Sequence, residues 1–270
     1  MSFFDRIKNR LGYTETDPKI AIPEALQRAK ELELSCVEMN LNFRSLFPER
    51  FDQAKLDEWG KMARDSDIQL SFHAPVDISL MSRHEPIRKA SAERLCEFIE
   101  LACNLNGERF TFHPGRAAFL KPAQDNVMFF TKKYPSYLVN SFLKSLTEII
   151  TSANQRIDLL IENTHLFDKP VADIIKQFAE ENLIALAYDP AHGLSQSILS
   201  DYRKYIKVCH LNDRKGNRSH LALGDGEINI RRVIQSLMDT DAVFIIESRN
   251  IDEVRKSISY LKSRDYTPRE

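Results

Sequence analysis

The chain has 270 residues, of which 43% are hydrophobic and 29% are charged, a composition that supplies a packed core and is not typical of a disordered chain. Its 38 basic and 39 acidic residues give a formal charge of -1, which excludes a protein that binds nucleic acid through bulk positive charge. The four cysteines form no CxxC pair, so neither a zinc knuckle nor a disulfide scaffold is predicted. No apolar run is long enough for a signal peptide or a membrane span, and we therefore expect a soluble, cytoplasmic protein.

Short apolar runs alternate with amphipathic helical patterns along the chain. The segment Arg10–Glu15 is the candidate first strand. Seven further strands are predicted at 35–40, 68–73, 109–113, 157–162, 183–188, 206–211 and 242–247. Most of these runs are apolar throughout rather than alternating, which is typical of strands covered on both faces.

Amphipathic helices are predicted between the strands, with starts at Pro23, after Pro86, at Val171 and at Ile228. Strands that alternate with helices indicate a parallel α/β protein. Eight such units in about 250 residues match the (β/α)8 TIM barrel. A doubly wound open sheet is the alternative, but no glycine-rich phosphate loop follows any strand. The sequence therefore predicts a single-domain TIM barrel over residues 1–270.

Imidazole and carboxylate side chains stand at the ends of six consecutive predicted strands or in the loops that follow. They are His73, His113, Glu162, Asp189, His192, His210, His220 and Glu247. A single strand-end histidine is more often structural than a ligand. The chemistry of a TIM barrel gathers at the C-terminal ends of its strands, so these groups would converge on one small space. Without a cation they would place like charges and unsatisfied donors together, and the set therefore predicts a site for zinc, manganese or iron.

The motifs HAP, HPG, IENT, DxxH, HLND and GDGEI occur in this order from Cys36 to the last strand. This set resembles the xylose-isomerase-like TIM-barrel superfamily, AP endonuclease family 2, which includes endonuclease IV and the sugar isomerases and epimerases. Endonuclease IV enzymes use three zinc ions to cut the DNA backbone beside an abasic site, a DNA-repair reaction. For that branch the resemblance implies one ion on His73 and His113, with Glu162 bridging to a second. It further implies that the second ion takes Asp189, His210 and Glu247 and that a third takes His192 and His220.

The sequence departs from the endonuclease pattern at one ligand of the third ion. The resemblance implies an aspartate two residues before His220, where this chain has Arg218. One alternative is a two-metal site with an arginine beside it. Another is a substrate-binding phosphate clamp formed by Arg214, Lys215 and Arg218, since guanidinium groups match phosphate oxygens bidentately. Ordinary solvated loop charges are a third alternative for Arg214 and Lys215.

The isomerase branch of the same superfamily needs one ion of manganese, magnesium or cobalt. The resemblance implies that this ion would be held by Glu162, Asp189, His210 and Glu247. It would polarise an open-chain sugar or sugar phosphate while Glu162 and Glu247 act as the catalytic acid–base pair. Glu38 also resembles the second-strand glutamate that is common among the isomerases.

Hydrolysis gives more of the histidines a role, because a one-metal isomerase leaves three of them without an obvious task. Isomerisation accounts for Glu38, for the missing aspartate and for the absence of a strongly basic face.

Only Phe43 and Arg44 are candidates for a wedge into DNA. A non-catalytic binding protein is a third class, but the nearly complete ligand set argues against it. We favour a zinc-dependent, endonuclease IV-like hydrolase acting on abasic or damaged DNA, with the sugar isomerase or epimerase as the alternative.

Overall fold

The computed structural model describes residues 3–115, 119–120, 128–129, 135–164, 169–192 and 195–263. Within these residues the chain forms a closed barrel of eight parallel strands in chain order, and the first strand pairs with both the second and the last. The strands are β1 Leu11–Glu15, β2 Cys36–Asn40, β3 Gln69–His73, β4 Arg109–Phe112, β5 Asp158–Glu162, β6 Ala185–Tyr188, β7 Ile206–Leu211 and β8 Val243–Ile246. The predicted TIM barrel is confirmed, and the first strand lies inside the predicted segment.

Helices surround the barrel, and one follows each strand. They are α1 Phe3–Ile7, α2 Ile22–Glu31, α3 Gln53–Arg64, α4 Glu85–Asn104, α5 Pro135–Ala153, α6 Lys169–Glu180, α7 Ser195–Tyr202, α8 Ile230–Ser236 and α9 Ile251–Lys262. Proline lies in the first turn of α2 and α4, where its missing N–H has no helical partner to lose. Asn250 begins α9 by accepting hydrogen bonds from the main-chain N–H groups of Asp252 and Glu253. No described helix is long and apolar enough to cross a membrane.

The interior of the barrel changes from apolar to polar along the strands. A small cluster of buried apolar side chains that includes Cys36 and Val208 fills its lower part. Side chains on a strand alternate between faces, so Glu38 lies above Cys36 and His210 lies above Val208 on the same inner face. Both of these upper side chains are fully buried. The polar layer therefore lies toward the C-terminal ends of the strands, where the site is expected.

A short antiparallel hairpin follows β7 and pairs residues Asp213–Lys215 with Arg218–Leu221. It carries His220 and the basic residues that the sequence singles out. The hairpin is an insertion between β7 and α8, and so it lies in the group of loops that TIM barrels use for function.

Candidate metal centre

The carboxylate of Glu162, the last residue of β5, is the centre of the site. Its Oε2 atom lies 3.0 Å from His73 Nε2 and 2.8 Å from His113 Nε2. Its Oε1 atom lies 3.2 Å from His192 Nε2 and 3.4 Å from His210 Nδ1. Four imidazoles from different strands and loops thus converge on one carboxylate that is only 2% exposed, two at each oxygen.

The orientation of the His73 ring is fixed by the main chain. Its Nδ1 atom lies 2.9 Å from the carbonyl oxygen of Ala74. A carbonyl oxygen can only accept, so Nδ1 carries a proton and Nε2 faces Glu162. In the neutral ring Nε2 has a lone pair, and the carboxylate oxygen beside it is also an acceptor. A proton or a metal ion must therefore lie between them, which is the arrangement of a metal-binding histidine.

His210 on β7 is held between two acidic groups inside the barrel. Its Nε2 atom lies 3.3 Å from each oxygen of Glu38, and its Nδ1 atom lies 3.9 Å from Glu247 Oε2. Among the described side chains, His210 Nδ1 and Glu247 Oε2 are buried atoms with no hydrogen-bond partner. Leaving buried polar atoms unpaired is costly. Both atoms are of the type that binds divalent cations, so the residues present fit a metal ion.

Asp189 is oriented by two asparagines. The Asn163 side chain accepts from the main-chain N–H of Asp189 at 2.7 Å and donates to its carbonyl oxygen at 2.9 Å. Asn212 Nδ2 donates to Asp189 Oδ2 at 3.0 Å, and that same oxygen lies 3.5 Å from His192 Nε2. Asn163, Asn212 and Asp189 are all fully buried. The carboxylate of Asp189 is therefore fixed beside His192.

Three groups of potential ligands have their donor atoms within 4.8 Å of one another. They are His73–His113–Glu162, Glu162–His210–Glu247 and Glu162–Asp189–His192. Because Glu162 belongs to every group, they form one cluster rather than three separate sites. The grouping differs in two respects from the expected ligand sets, since Asp189 groups with His192 and not with His210 and Glu247, and His220 is in none of the groups.

His220 lies at the edge of this cluster and belongs to none of the three groups. Its Nδ1 atom is 3.5 Å from Glu247 Oε2, and its side chain is 37% exposed. Its backbone has a φ of 55°, in the left-handed region that non-glycine residues rarely adopt. Arg218, two residues earlier on the same strand of the hairpin, is exposed and stands opposite Lys215.

Arg214 approaches the cluster from the hairpin. Its Nη1 atom donates to the carbonyl oxygen of Ala191 at 2.8 Å, which places the guanidinium beside the residue that precedes His192. Lys215 is exposed on the same strand. Of the three predicted phosphate-binding residues, Arg214 is therefore the one with a main-chain contact next to a candidate ligand.

Comparison with known proteins places the fold in a family. The family model described as xylose isomerase-like TIM barrel matches residues 26–264. The chain belongs to this family. The uncharacterized protein MJ1614 of Methanocaldococcus jannaschii is 26% identical over an alignment of 266 residues. The alignment covers 93% of this chain and 95% of that protein.

Two solved structures superpose on nearly the whole chain. A D-tagatose 3-epimerase-like protein matches with a TM-score of 0.74 and 22% identity, covering 95% of this chain and 96% of its own. Endonuclease IV of Thermus thermophilus matches with a TM-score of 0.69 and 20% identity, covering 94% and 99%. At these identities the likeness shows the shared fold, and the activity must be argued from the site.

Asp213 is a buried residue of this xylose isomerase-like barrel whose role the residue pattern alone does not reveal. Its carboxylate is 1% exposed and accepts hydrogen bonds of 2.8–3.0 Å from the main-chain N–H groups of Arg214, Gly224, Gly226 and Ile228. A Cβ atom at Gly226 would lie 2.3 Å from Asp213 Oδ1, so only glycine fits there. Asp213 thus ties the segment that follows the hairpin to the first residue of the hairpin.

The site concentrates negative charge that its histidines offset. Burial opposes the ionisation of Glu162, but the surrounding histidines hold its pKa well below the usual range. Burial also opposes the ionisation of Glu247, and contacts with His220 and His210 still lower its pKa to about 2. Burial opposes the protonation of His73 as well, yet the neighbouring carboxylates raise its pKa to about 9. Without an ion, protonated imidazoles thus supply the positive charge that the carboxylates need.

Proposed function

We propose that this protein is a divalent-metal-dependent phosphodiester hydrolase of the endonuclease IV type that binds at least two ions, zinc in the first place. The observation that carries the proposal is the geometry of Glu162, whose two oxygens each face a different pair of imidazoles. A carboxylate with imidazoles at both of its oxygens is suited to bridging two metal ions. Enzymes that hydrolyse phosphate esters use such two-metal sites. An isomerase with a single ion would not require His73 and His113 beside the other oxygen of Glu162.

Different residues would hold the different ions. His73, His113 and Glu162 would hold one ion, and His210, Glu247 and Glu162 would hold a second. Such ions would lower the pKa of a water molecule and would offset charge on phosphate and leaving-group oxygens.

Asp189 and His192 form the third group with Glu162. Asn163 fixes the main chain of Asp189, and Asn212 donates to its carboxylate and keeps it from turning away. The chain's own contribution is thus a rigid set of ligands whose spacing is fixed before substrate arrives.

The basic residues of the hairpin are suited to a phosphate-bearing substrate. Arg214 is anchored beside His192 and has further N–H groups besides the one given to Ala191. Lys215 and Arg218 are exposed on the two strands of the same hairpin. The chain as a whole has a net charge of -1. Binding of abasic DNA would therefore depend on the positive field of these basic residues and on the bound ions.

The alternative is a sugar or sugar-phosphate isomerase or epimerase. One observation favours it, since Glu162, His210 and Glu247 form one of the three groups of potential ligands and could by themselves hold a single ion. Glu162 and Glu247 would then exchange the proton. Glu38 does not strengthen this alternative, because it is 0% exposed and cannot reach a bound sugar.

The test is a parallel assay of zinc-reconstituted and manganese-reconstituted protein. One arm offers a DNA duplex with a single abasic site, and the other offers a panel of ketoses and their phosphates. We expect strand cleavage beside the abasic site and no change in the ketoses, with cleavage absent in Glu162→Gln and retained in Glu58→Gln, an exposed residue of α3. Ketose conversion without strand cleavage would establish the isomerase instead, and turnover retained by Glu162→Gln would refute the site.

A further inference from the structure

Glu38 is a carboxylate buried inside the barrel below the candidate ligands. It lies on β2 in register with Thr14 of β1 and Ser71 of β3, and it is 0% exposed. The interiors of TIM barrels are filled mainly by branched apolar side chains. A buried carboxylate is strongly disfavoured unless hydrogen bonds or a countercharge compensate for the lost water. Its presence therefore requires specific partners.

Three side chains from three other strands provide those partners. Thr14 Oγ1 donates to Glu38 Oε1 at 3.1 Å, and Thr111 Oγ1 donates to Oε2 at 3.2 Å. His210 Nε2 lies 3.3 Å from both oxygens. An ionised carboxylate can only accept, so the ring nitrogen facing it must carry a proton.

We propose that Glu38 is a positioning residue that holds His210 in the tautomer with the proton on Nε2, so that Nδ1 presents its lone pair to a metal ion. Of the two nitrogens of this buried ring, Nδ1 is the one without a hydrogen-bond partner, and it lies 3.4 Å from Glu162 Oε1 and 3.9 Å from Glu247 Oε2. A carboxylate behind a ligating histidine also increases the basicity of the ring. The inference rests on the metal centre of the proposed function but not on the identity of the substrate.

His73, whose second ring contact is also defined, is oriented differently. It gives its Nδ1 proton to the carbonyl oxygen of Ala74 and presents Nε2 to Glu162. The two rings thus bind through opposite nitrogens, and of these two only His210 depends on a side chain that a substitution can alter. Changing Glu38 should therefore weaken the ion at His210 and leave the ion at His73 and His113 as it was.

The decisive experiment measures zinc affinity, by competition with a chromophoric chelator, in the wild type and in Glu38→Gln. Outer-shell partners of this kind are worth about 10- to 100-fold in metal affinity, and we expect that loss for one of the two ions. Ser71→Ala is the matched control, because Ser71 is equally buried beside β2 but its hydroxyl contacts Cys36 rather than Glu38. It should bind both ions as the wild type does.

A second measurement is independent of any variant. In zinc-loaded wild-type protein, the nitrogen-15 NMR spectrum of His210 should show a protonated Nε2 and an unprotonated Nδ1. Unchanged affinities for both ions in a folded Glu38→Gln, or a protonated Nδ1, would overturn the proposal. If Glu38→Gln loses zinc affinity as expected but the wild type cuts no abasic DNA, the hydrolase is refuted and the role of Glu38 stands. If the wild type takes up no zinc, both the hydrolase and the role of Glu38 are refuted.

Discussion

His73 Nε2 and Glu162 Oε2 lie 3.0 Å apart, and both atoms are hydrogen-bond acceptors when the ring is neutral. The ring cannot turn to relieve this, because its other nitrogen is bonded to the main chain at Ala74. Only a positive charge can occupy the space between two such lone pairs. Glu162 makes the same kind of approach to three further imidazoles, and its substitution should therefore have the largest effect of any in the site.

We expect Glu162→Gln to lower zinc content and to reduce turnover by at least about 100-fold, since a ligand is worth no less than its outer-shell partners. The amide keeps the size of the side chain but cannot bridge cations. Metal analysis of the purified variant and the abasic-duplex assay measure the two effects. Glu58→Gln makes the same chemical change on an exposed helix surface and should alter neither.

Zinc binding should release protons at pH 7.5. Burial opposes the protonation of His73 and His192, but the carboxylates around them raise both pKa values to about 9, so both rings are mostly protonated without metal. A ligating nitrogen must be deprotonated, so the apparent affinity should rise from pH 7 to pH 9 as fewer protons have to leave. Calorimetric titration in buffers of different ionisation heat counts the protons. Binding with no proton release would mean that these rings are neutral or do not ligate.

Arg218→Asp should raise the zinc content per chain. The substitution places an acidic side chain two residues before His220, which stands near Glu247 at the edge of the cluster. Lys215→Asp makes the same change of charge at the position opposite Arg218 and controls for the general electrostatic effect. Equal zinc content in the wild type and both variants would show that this edge is not a latent third site.

Asp213→Asn should lower the free energy of unfolding by roughly 2–4 kcal/mol, because an amide nitrogen would face main-chain N–H groups that now donate to a carboxylate oxygen. Asp225→Asn is the comparison in the same loop. It removes an exposed ion pair with Lys256, and such pairs contribute at most about 1 kcal/mol. Urea denaturation of both variants measures the difference. Equal losses would mean that Asp213 does not hold the hairpin.

The strands could be predicted because burial on both faces leaves an apolar run that is visible in the sequence. The same reasoning places His73 and Glu162 at one end of the barrel, since every parallel strand ends on the same side. Helix α3 gives a weaker pattern in the sequence than the strands do, because only Gly60 and Ala63 along it are buried. The predicted helix start at Ile228 is two residues before the observed start of α8 at Ile230.

The contacts of the supporting residues could not be predicted from the sequence. Glu38 and His210 are 172 positions apart, and their contact depends on the height of each residue inside the closed barrel. The pairing of Asn163 with Asp189 depends in the same way on two loops that meet only after the strands align. A motif identifies the type of side chain, whereas the tautomer of a ring follows from neighbours that the fold brings together.

The number of metal ions per chain tests the central claim most directly. Protein purified without chelators and dialysed against zinc should contain at least two tightly held ions per chain by elemental analysis, because Glu162 presents each oxygen to a separate pair of imidazoles. A single ion per chain at saturation, or none, would contradict the bridged centre on which the proposed hydrolase depends.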